Sequence, residues 1–104
     1  IELALEEARA AAARGEVPVG AVVTDATGRV LARAGNRVEE RADASAHAEI
    51  LALRAAAAGR GDPRLPDCTL TVTLEPCPMC AHAASRAVRP ARLPGYLEGL
   101  LRHG

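Results

Sequence analysis

The chain has 104 residues, which is enough for one compact core but not for a second domain of ordinary size. Its 13 basic and 13 acidic residues cancel, so it lacks the excess of positive charge that usually accompanies nucleic-acid binding. No apolar run is long enough to span a membrane, and the acidic opening helix does not fit a signal peptide. We therefore expect a cytoplasmic protein without a membrane segment.

The first half of the chain predicts a helix followed by a β-hairpin. An Ala-rich amphipathic pattern predicts the helix over residues 1–14, and Gly15 suits the position just after its end. Runs of β-branched residues predict strands over 17–24 and 29–34, and the short turn between them pairs the strands as an antiparallel hairpin. Residues 38–44 are charged and are expected to form a loop.

The second half predicts a helix, a strand and another helix. Ser45 is a suitable N-cap for a helix over 46–58. A run of β-branched residues and Leu at 69–74 predicts a short strand that is buried on both faces. Pro78 suits the first position of a further helix, of which Cys77 would be the N-cap.

These elements predict an α/β fold with one domain over residues 1–104. We expect a small mixed sheet, in which the hairpin is antiparallel and the later strand is parallel after a right-handed crossover, with helices on both faces. The core should lie within residues 1–88. Residues 89–104 are rich in proline and form an atypical segment with room for one short helix near Tyr96.

Two predicted helix starts contain most of the chemically reactive residues. One reads His-Ala-Glu at 47–49, and the other reads Pro-Cys-Pro-Met-Cys at 76–80. Cys77 and Cys80 lie on one side of a helical turn, where the helix dipole favours the thiolate that binds a metal. With His47 they would give zinc three ligands and leave the fourth tetrahedral position open. An odd number of cysteines, two at this spacing, also fits a metal in a reducing compartment better than disulfides.

Glu49 follows His47 by two residues, so it need not bind the metal itself. If it faces the open position, it can take a proton from bound water and pass it to a substrate. Zinc lowers the pKa of bound water from about 15.7 toward roughly 7, which makes hydroxide accessible at neutral pH. His-x-Glu followed by Pro-Cys-x-x-Cys is a signature of zinc-dependent nucleobase deaminases, so the pair of motifs predicts such an enzyme.

Plainer interpretations of these residues also exist. Cys77 and Cys80 could be buried structural thiols or half of a structural zinc site, although no fourth ligand is well placed to close one. Cys68 is expected to be a small apolar residue near the core. His82 should lie on the surface or at an interface. The arginines toward the C-terminus fit a solvated face better than an RNA-binding path; they include Arg86, Arg89 and Arg92.

Several segments resemble the bacterial tRNA-specific adenosine deaminases of the cytidine deaminase-like superfamily. The resemblance extends to about Val88 and is carried by residues 15–22, 35–37, 46–50 and 72–80. Guanine and cytosine deaminases that act on free bases share the zinc motif, but tend to read Pro-Phe-Gly-Ala-Val in the first segment and Cys-Glu-Pro-Cys in the last. The zinc sites of free-cytidine deaminases look like three-cysteine sites, so the presence of His47 as a ligand candidate separates this chain from them.

The resemblance implies a three-layer cytidine deaminase-like fold, one Zn²⁺ per chain and a homodimer formed through the helix after Cys80. It implies that Asn36 hydrogen-bonds a flipped base, that Ala48 contributes a backbone donor and that Val17 packs against the purine. Asn36 also suits the turn that ends the hairpin, and the two roles are compatible.

The reaction that the resemblance implies converts adenosine to inosine at the wobble position of a tRNA anticodon. Zinc-activated water would attack C6, and Glu49 would protonate N1 and then the departing amine. A single-stranded anticodon loop is where unstacking the target base costs least. Two other functions stay open, namely deamination of a free base such as guanine or cytosine, and zinc binding without turnover.

The family continues after the Cys-x-x-Cys helix with more strands and a long C-terminal helix, for which residues 89–104 are too short. The strand at 69–74 would then be an exposed apolar edge. We therefore expect residues to be missing from the sequence, either by truncation or by omission of an internal stretch. An omission would separate consecutive Cα atoms between Val88 and Tyr96 by far more than the usual distance of about 3.8 Å.

Overall fold

The computed structural model of the chain describes residues 1–73 and 78–87. Within them, no helix is long and apolar enough to cross a membrane. The elements in chain order are α1 (Glu2–Ala13), β1 (Gly20–Thr24), β2 (Val30–Gly35), α2 (Val38–Arg41), α3 (Ala48–Arg60), β3 (Thr69–Val72) and α4 (Pro78–Ala87). Cys77, Arg89, Arg92 and the predictions for residues 89–104, including the Cα gap, lie outside the described residues.

The described strands form one sheet in the order β2-β1-β3. The central strand β1 pairs antiparallel with both neighbours, so that Ala21 lies opposite Ala34 on one side and Val72 on the other. The α/β fold and the antiparallel hairpin are confirmed, but the parallel pairing expected for the later strand is wrong. A strand–helix–strand pattern predicts the same direction for β2 and β3, and they have it. Because β1 lies between them, neither is paired with a parallel strand among the described residues.

Helix α1 covers one face of the sheet at unusually close range. Gly20 and Gly35, which lie opposite each other in the register, both face this helix. A Cβ atom at Gly20 would overlap the carbonyl oxygen of Ala4, and one at Gly35 would lie 2.7 Å from the carbonyl oxygen of Glu7. The helix can approach this closely because the residues it buries are Ala4, Ala8 and Ala11. Its Ala-rich sequence is therefore a packing requirement.

Helix α3 covers the opposite face and forms the main apolar core, which confirms the three layers. Every second residue of the strands contributes to this core, as in Ala21 and Val23 of β1 and Leu70 of β3. Cys68 is 2% exposed within the same cluster, as expected for a small apolar residue, and burial raises the pKa of its thiol. Leu65, in the connection to β3, is fully buried.

The loop between β2 and α3 differs from the sequence prediction. Residues predicted as loop contain the one-turn helix α2, which ends at Ala42 in the left-handed conformation with φ 49°. Helix α3 begins at Ala48 with His47 as its N-cap, so the assignment of Ser45 as N-cap is wrong. The reason is competition, because the backbone N–H and the hydroxyl of Ser45 both donate to the Asp43 carboxylate, at 2.9 Å and 2.7 Å.

Candidate active site

The candidate site lies where β2 ends and α3 begins. Residues 36–47, which we call the site loop, connect the two elements and carry Asn36 at one end and His47 at the other. The loop is closed on itself because the Arg37 N–H donates to the Ala46 carbonyl at 2.9 Å. It is held to the sheet because the Asn36 N–H donates to the Val19 carbonyl at 3.2 Å. These hydrogen bonds bring Asn36 and His47, the two ends of the site loop, close together.

His47 and Cys80 are in direct contact across the α3 and α4 starts. The distance from His47 Nδ1 to Cys80 Sγ is 3.4 Å, and Cys80 is fully buried. Tetrahedral zinc with ordinary Zn–N and Zn–S bond lengths separates a nitrogen from a sulfur by about 3.6 Å. The observed separation therefore fits two ligands of one zinc ion. Among residues 1–73 and 78–87 no group of three metal-binding side chains is found, and the third predicted ligand, Cys77, is not among them.

Glu49 lies in the first turn of α3, beside this pair, and is 3% exposed. Burial raises the pKa of its carboxyl group. Its own backbone N–H, the charge of His47 and a hydrogen bond with the Cys80 thiol lower the pKa, but they offset only part of the effect. A carboxyl group held beside the His47–Cys80 pair is placed to accept a proton and to release it again, which is the property a proton shuttle requires.

Asn36 caps the helix that carries these groups. Its side-chain Oδ1 accepts a hydrogen bond from the Ala48 N–H at 2.8 Å, and Asn36 itself is 6% exposed. Because Oδ1 is used in this way, the remaining polar atom of the amide, Nδ2, can only donate. The backbone donor of Ala48, which the resemblance assigns to substrate, is thus bonded within the chain.

Apolar side chains are exposed on two segments that lead into the site elements. Val17, just before β1, is 61% exposed, and Met79, in the first turn of α4, is 39% exposed. His82 is exposed, as expected, on the following turn of α4. Arg86 lines a pocket of about 280 Å³ together with Arg64.

Two residues beside the site loop had no role assigned from the sequence. Glu16 is 6% exposed, and its two carboxylate oxygens accept hydrogen bonds from the backbone N–H groups of Glu39 and Glu40, at 3.0 Å and 2.8 Å. Arg14 donates through Nη2 to the Asn36 carbonyl at 3.0 Å. One feature of the sequence could have indicated a role for Glu16. It is an acidic residue between the helix-ending Gly15 and a β-branched run, at a position where the approach to a strand is usually apolar.

A groove with a volume of about 410 Å³ runs beside the site loop along α3. Four guanidinium groups line it, with a single carboxylate, that of Glu7; we call it the arginine groove, and its arginines are Arg33, Arg37, Arg41 and Arg54. Arg33 and Arg37 are paired with glutamates at 2.6 Å and 2.7 Å. Arg41 and Arg54 form no ion pair with any residue that the structure describes. The groove can therefore offer positive charge even though the whole chain is neutral.

The fold and the site together define an α/β domain in which a histidine and a cysteine are in contact beside a buried carboxyl group at adjacent helix starts. Residues 1–93 match the family described as the cytidine and deoxycytidylate deaminase zinc-binding region. The chain belongs to this family.

Relatives with assigned names support the resemblance seen in the sequence. A tRNA-specific adenosine deaminase from Agrobacterium fabrum is 56% identical over 84% of this chain. A tRNA(Ile)-lysidine synthase from Deinococcus radiodurans is 58% identical over 81% of the chain. The chain spans 57% of the length of the first of these proteins and 14% of the second.

Solved structures agree in fold. A structure from a study of A-to-I editing by tRNA:A34 deaminases at the wobble position of transfer RNA superimposes with a TM-score of 0.79 at 54% identity. The superposition covers 88% of this chain and 63% of the chain in that structure. Guanine deaminase from Bacillus subtilis superimposes with a TM-score of 0.77 at 36% identity, over 84% of this chain and 58% of its own.

Proposed function

We propose that this chain catalyses the hydrolytic deamination of adenosine to inosine at the wobble position of a tRNA anticodon. The observation that carries the proposal is the contact between His47 Nδ1 and Cys80 Sγ beside the buried carboxyl group of Glu49. The names of the adenosine deaminase relatives support the choice of substrate, since their identity to this chain exceeds that of the guanine deaminase.

We propose that His47, Cys77 and Cys80 hold one zinc ion per chain. The 3.4 Å separation of the histidine nitrogen and the cysteine sulfur supports two of these ligands, and the match to a zinc-binding family supports the metal. When bound, zinc supplies a Lewis acid that makes water a competent nucleophile at neutral pH. With three protein ligands, one coordination position stays open for chemistry.

Glu49 is the proton shuttle in this mechanism. Its carboxylate takes a proton from the attacking water and delivers it to N1 of adenine as the new bond to C6 forms. It then takes the proton of the C6 hydroxyl and delivers it to the exocyclic amine, so that the C6–N bond breaks and ammonia leaves. The position of Glu49 in the first turn of α3, beside His47 and Cys80, suits both steps, because the group must gain and lose a proton within one turnover.

Asn36 and Val17 hold the base. Because Asn36 Oδ1 accepts from Ala48, its Nδ2 donates to an acceptor on the purine. The exposed Val17 packs against the purine ring, with its side chain transferred from water to an apolar contact. Ala48 can contribute its backbone N–H to substrate only by sharing it with Asn36 or releasing it.

The arginine groove supports RNA as the partner, because phosphate binding needs local positive charge more than a positive total. We further propose a homodimer, in which α4 lies at the interface. Small residues recur along the helix: Ala84 packs into the core of this chain, whereas Ala83 and Ala87 are only partly buried and leave room for close approach. Thiolate ligands favour a reducing compartment, and the cytoplasm is the proposed site of action.

A free-base deaminase is the second candidate, because the guanine deaminase structure superimposes almost as well as the tRNA deaminase. Zinc-loaded protein incubated with an anticodon stem–loop and, separately, with free adenine, guanine and cytosine distinguishes the two. We expect inosine in the stem–loop and no turnover of free bases; turnover of a free base alone would refute the tRNA assignment.

A zinc-binding domain without turnover is distinguished by Glu49→Gln. We expect this variant to keep its zinc, measured by metal analysis, and to lose at least about a hundredfold in kcat, which is the usual contribution of a general acid–base group. A variant as active as the wild type would remove Glu49 from the mechanism.

A further inference from the structure

The site loop sets the distance and orientation between Asn36 and His47, the two residues of the proposed site at its ends. Its ends, Asn36 and His47, are one hydrogen bond apart, because Asn36 caps the residue that follows His47. Its middle is the one-turn helix α2, which is too short to be stable by itself. Any force that moves α2 relative to the sheet is therefore transmitted to both ends of the loop.

Glu16 connects α2 to the body of the fold. Its backbone N–H donates to the Ala11 carbonyl at the end of α1 at 3.0 Å, so its position is set by α1. Its carboxylate accepts the N–H groups of Glu39 and Glu40, which are the second and third residues of α2 and have no partner within that helix. The arrangement is an N-cap supplied from another part of the chain.

The charge balance around Glu16 fits this function. Burial acts to raise the pKa of its carboxyl group, but the two N–H donors and the nearby Arg14 and Arg37 outweigh burial, and the pKa lies below its usual value. The group is therefore a carboxylate at neutral pH. Arg14 extends the connection, because it donates to the Asn36 carbonyl and lies 3.6 Å from a carboxylate oxygen of Glu40.

We propose that Glu16 is a positioning residue for the active site, which fixes α2 and thereby the geometry of Asn36 and His47. If residue 16 only filled space, an apolar side chain would serve, as it does at the buried Ala11 before it and the buried Val19 after it. A buried carboxylate is costly unless its hydrogen bonds are directed at particular partners. Here both oxygens are directed at the loop that carries the site. The functional part of this inference rests on the proposed role of Asn36 in base binding.

The test compares Glu16→Gln with Glu39→Gln in the zinc-loaded protein. Gln at position 16 keeps the shape of the side chain but offers one acceptor, and its NH₂ group faces a backbone donor. Gln at position 39 removes an exposed carboxylate from α2 and leaves the backbone N–H in place. We measure amide hydrogen exchange at each residue, KM and kcat on the anticodon stem–loop, and thermal unfolding.

For Glu16→Gln we expect exchange at the Ala48 amide to accelerate about tenfold, with β1 and β3 amides unchanged, and KM to rise about tenfold. Glu39→Gln should match the wild type in both measurements. Unchanged exchange at Ala48 would overturn the proposal, and so would an equal increase at every amide, because that reports lower global stability.

A second variant covers the case in which Glu16→Gln does not fold. Glu16→Asp keeps the negative charge but shortens the side chain by one methylene, so its oxygens withdraw from the Glu39 and Glu40 N–H groups. It should accelerate exchange at Ala48 in the same way, and unchanged exchange there would overturn the proposal. The exchange data decide about Glu16 without any substrate. A wild-type protein that does not deaminate the stem–loop would therefore refute the proposed function and leave this test intact.

Discussion

Replacement of Asn36 by Ala and by Asp separates the two roles assigned to its side chain. In the structure, Oδ1 accepts the Ala48 N–H at 2.8 Å and caps α3, whereas Nδ2 is the proposed donor to the base. Ala removes both atoms. Asp keeps an acceptor for Ala48, and its negative charge is favourable at a helix N-terminus, but it cannot donate in its ionised form. The two variants should therefore differ in stability and agree in substrate binding.

The expected loss of stability follows from the burial of this bond. Asn36→Ala leaves the buried Ala48 N–H without an acceptor, which costs about 2 kcal/mol, the middle of the range for an unsatisfied buried donor and the upper end of the range for a lost N-cap. In a domain of this size, 1 kcal/mol corresponds to about 4–8 °C, so the melting temperature should fall by about 10 °C. Asn36→Asp should lose about 1 kcal/mol or less, since the capping acceptor remains.

Loss of one hydrogen bond to the base should raise KM about tenfold in both variants, because about 1.4 kcal/mol corresponds to a factor of ten. The assays are thermal unfolding followed by circular dichroism, and inosine formation in an anticodon stem–loop well below the melting temperature. If Asn36→Asp binds substrate as the wild type does, Nδ2 is not the donor. If Asn36→Ala is as stable as the wild type, the capping argument fails.

Three further changes test the fold and the partner. Gly20→Ala should cost about 1–3 kcal/mol in urea unfolding, because its Cβ overlaps the α1 backbone. Gly59→Ala, in the last turn of α3 where a Cβ meets nothing within 4 Å, should instead stabilise by about 0.4–1 kcal/mol. Arg54→Glu should weaken stem–loop binding and lower its salt dependence by roughly 0.7 in the log–log slope, while Arg9→Glu on α1 should change neither; equal effects would remove the groove from binding. Because the pKa of Glu16 is lowered in the folded state, its stabilisation is complete above the unfolded value and is lost as the pH falls through the folded value; urea titrations from pH 6 to 3 should therefore give Glu16→Gln a flatter acid limb than the wild type, and parallel curves would contradict this linkage.

The proposed metal-binding pair was found in the sequence through two short motifs, His-x-Glu at one helix start and Pro-Cys-x-x-Cys at another. A residue at a helix start and a cysteine in the first turn of another helix place their donors at the positive end of a dipole, whatever the rest of the fold does. The contact between His47 and Cys80 agrees with that prediction. The strand and helix positions were also predictable to within a few residues, since they depend on runs of β-branched residues, alanine and glycine.

The errors arose where distant residues compete for the same groups. A β-α-β pattern sets the relative direction of two strands but not which strand lies between them, so the pairing of β3 could not be derived. Asp43 takes the Ser45 hydroxyl that would have capped α3, and Asn36 caps it from 12 positions away. Glu16 caps α2 from more than 20 positions away, and the periodicities that predict helices and strands do not predict such a hydrogen bond.

The capping role of Asn36 also limits what this residue can select. Because Oδ1 accepts the Ala48 N–H, the proposed contact of Asn36 with the base is a donation from Nδ2, and its partner on the base is an acceptor. N7 is an acceptor in both adenine and guanine, so a donor at this position recognises a purine and does not tell the two apart. The same fold can therefore serve the guanine deaminase and the tRNA deaminase that superimpose on this chain. In the proposed mechanism, selection of adenosine therefore comes from groups that face the six-membered ring, where the exocyclic substituents differ and where Glu49 is proposed to deliver its protons.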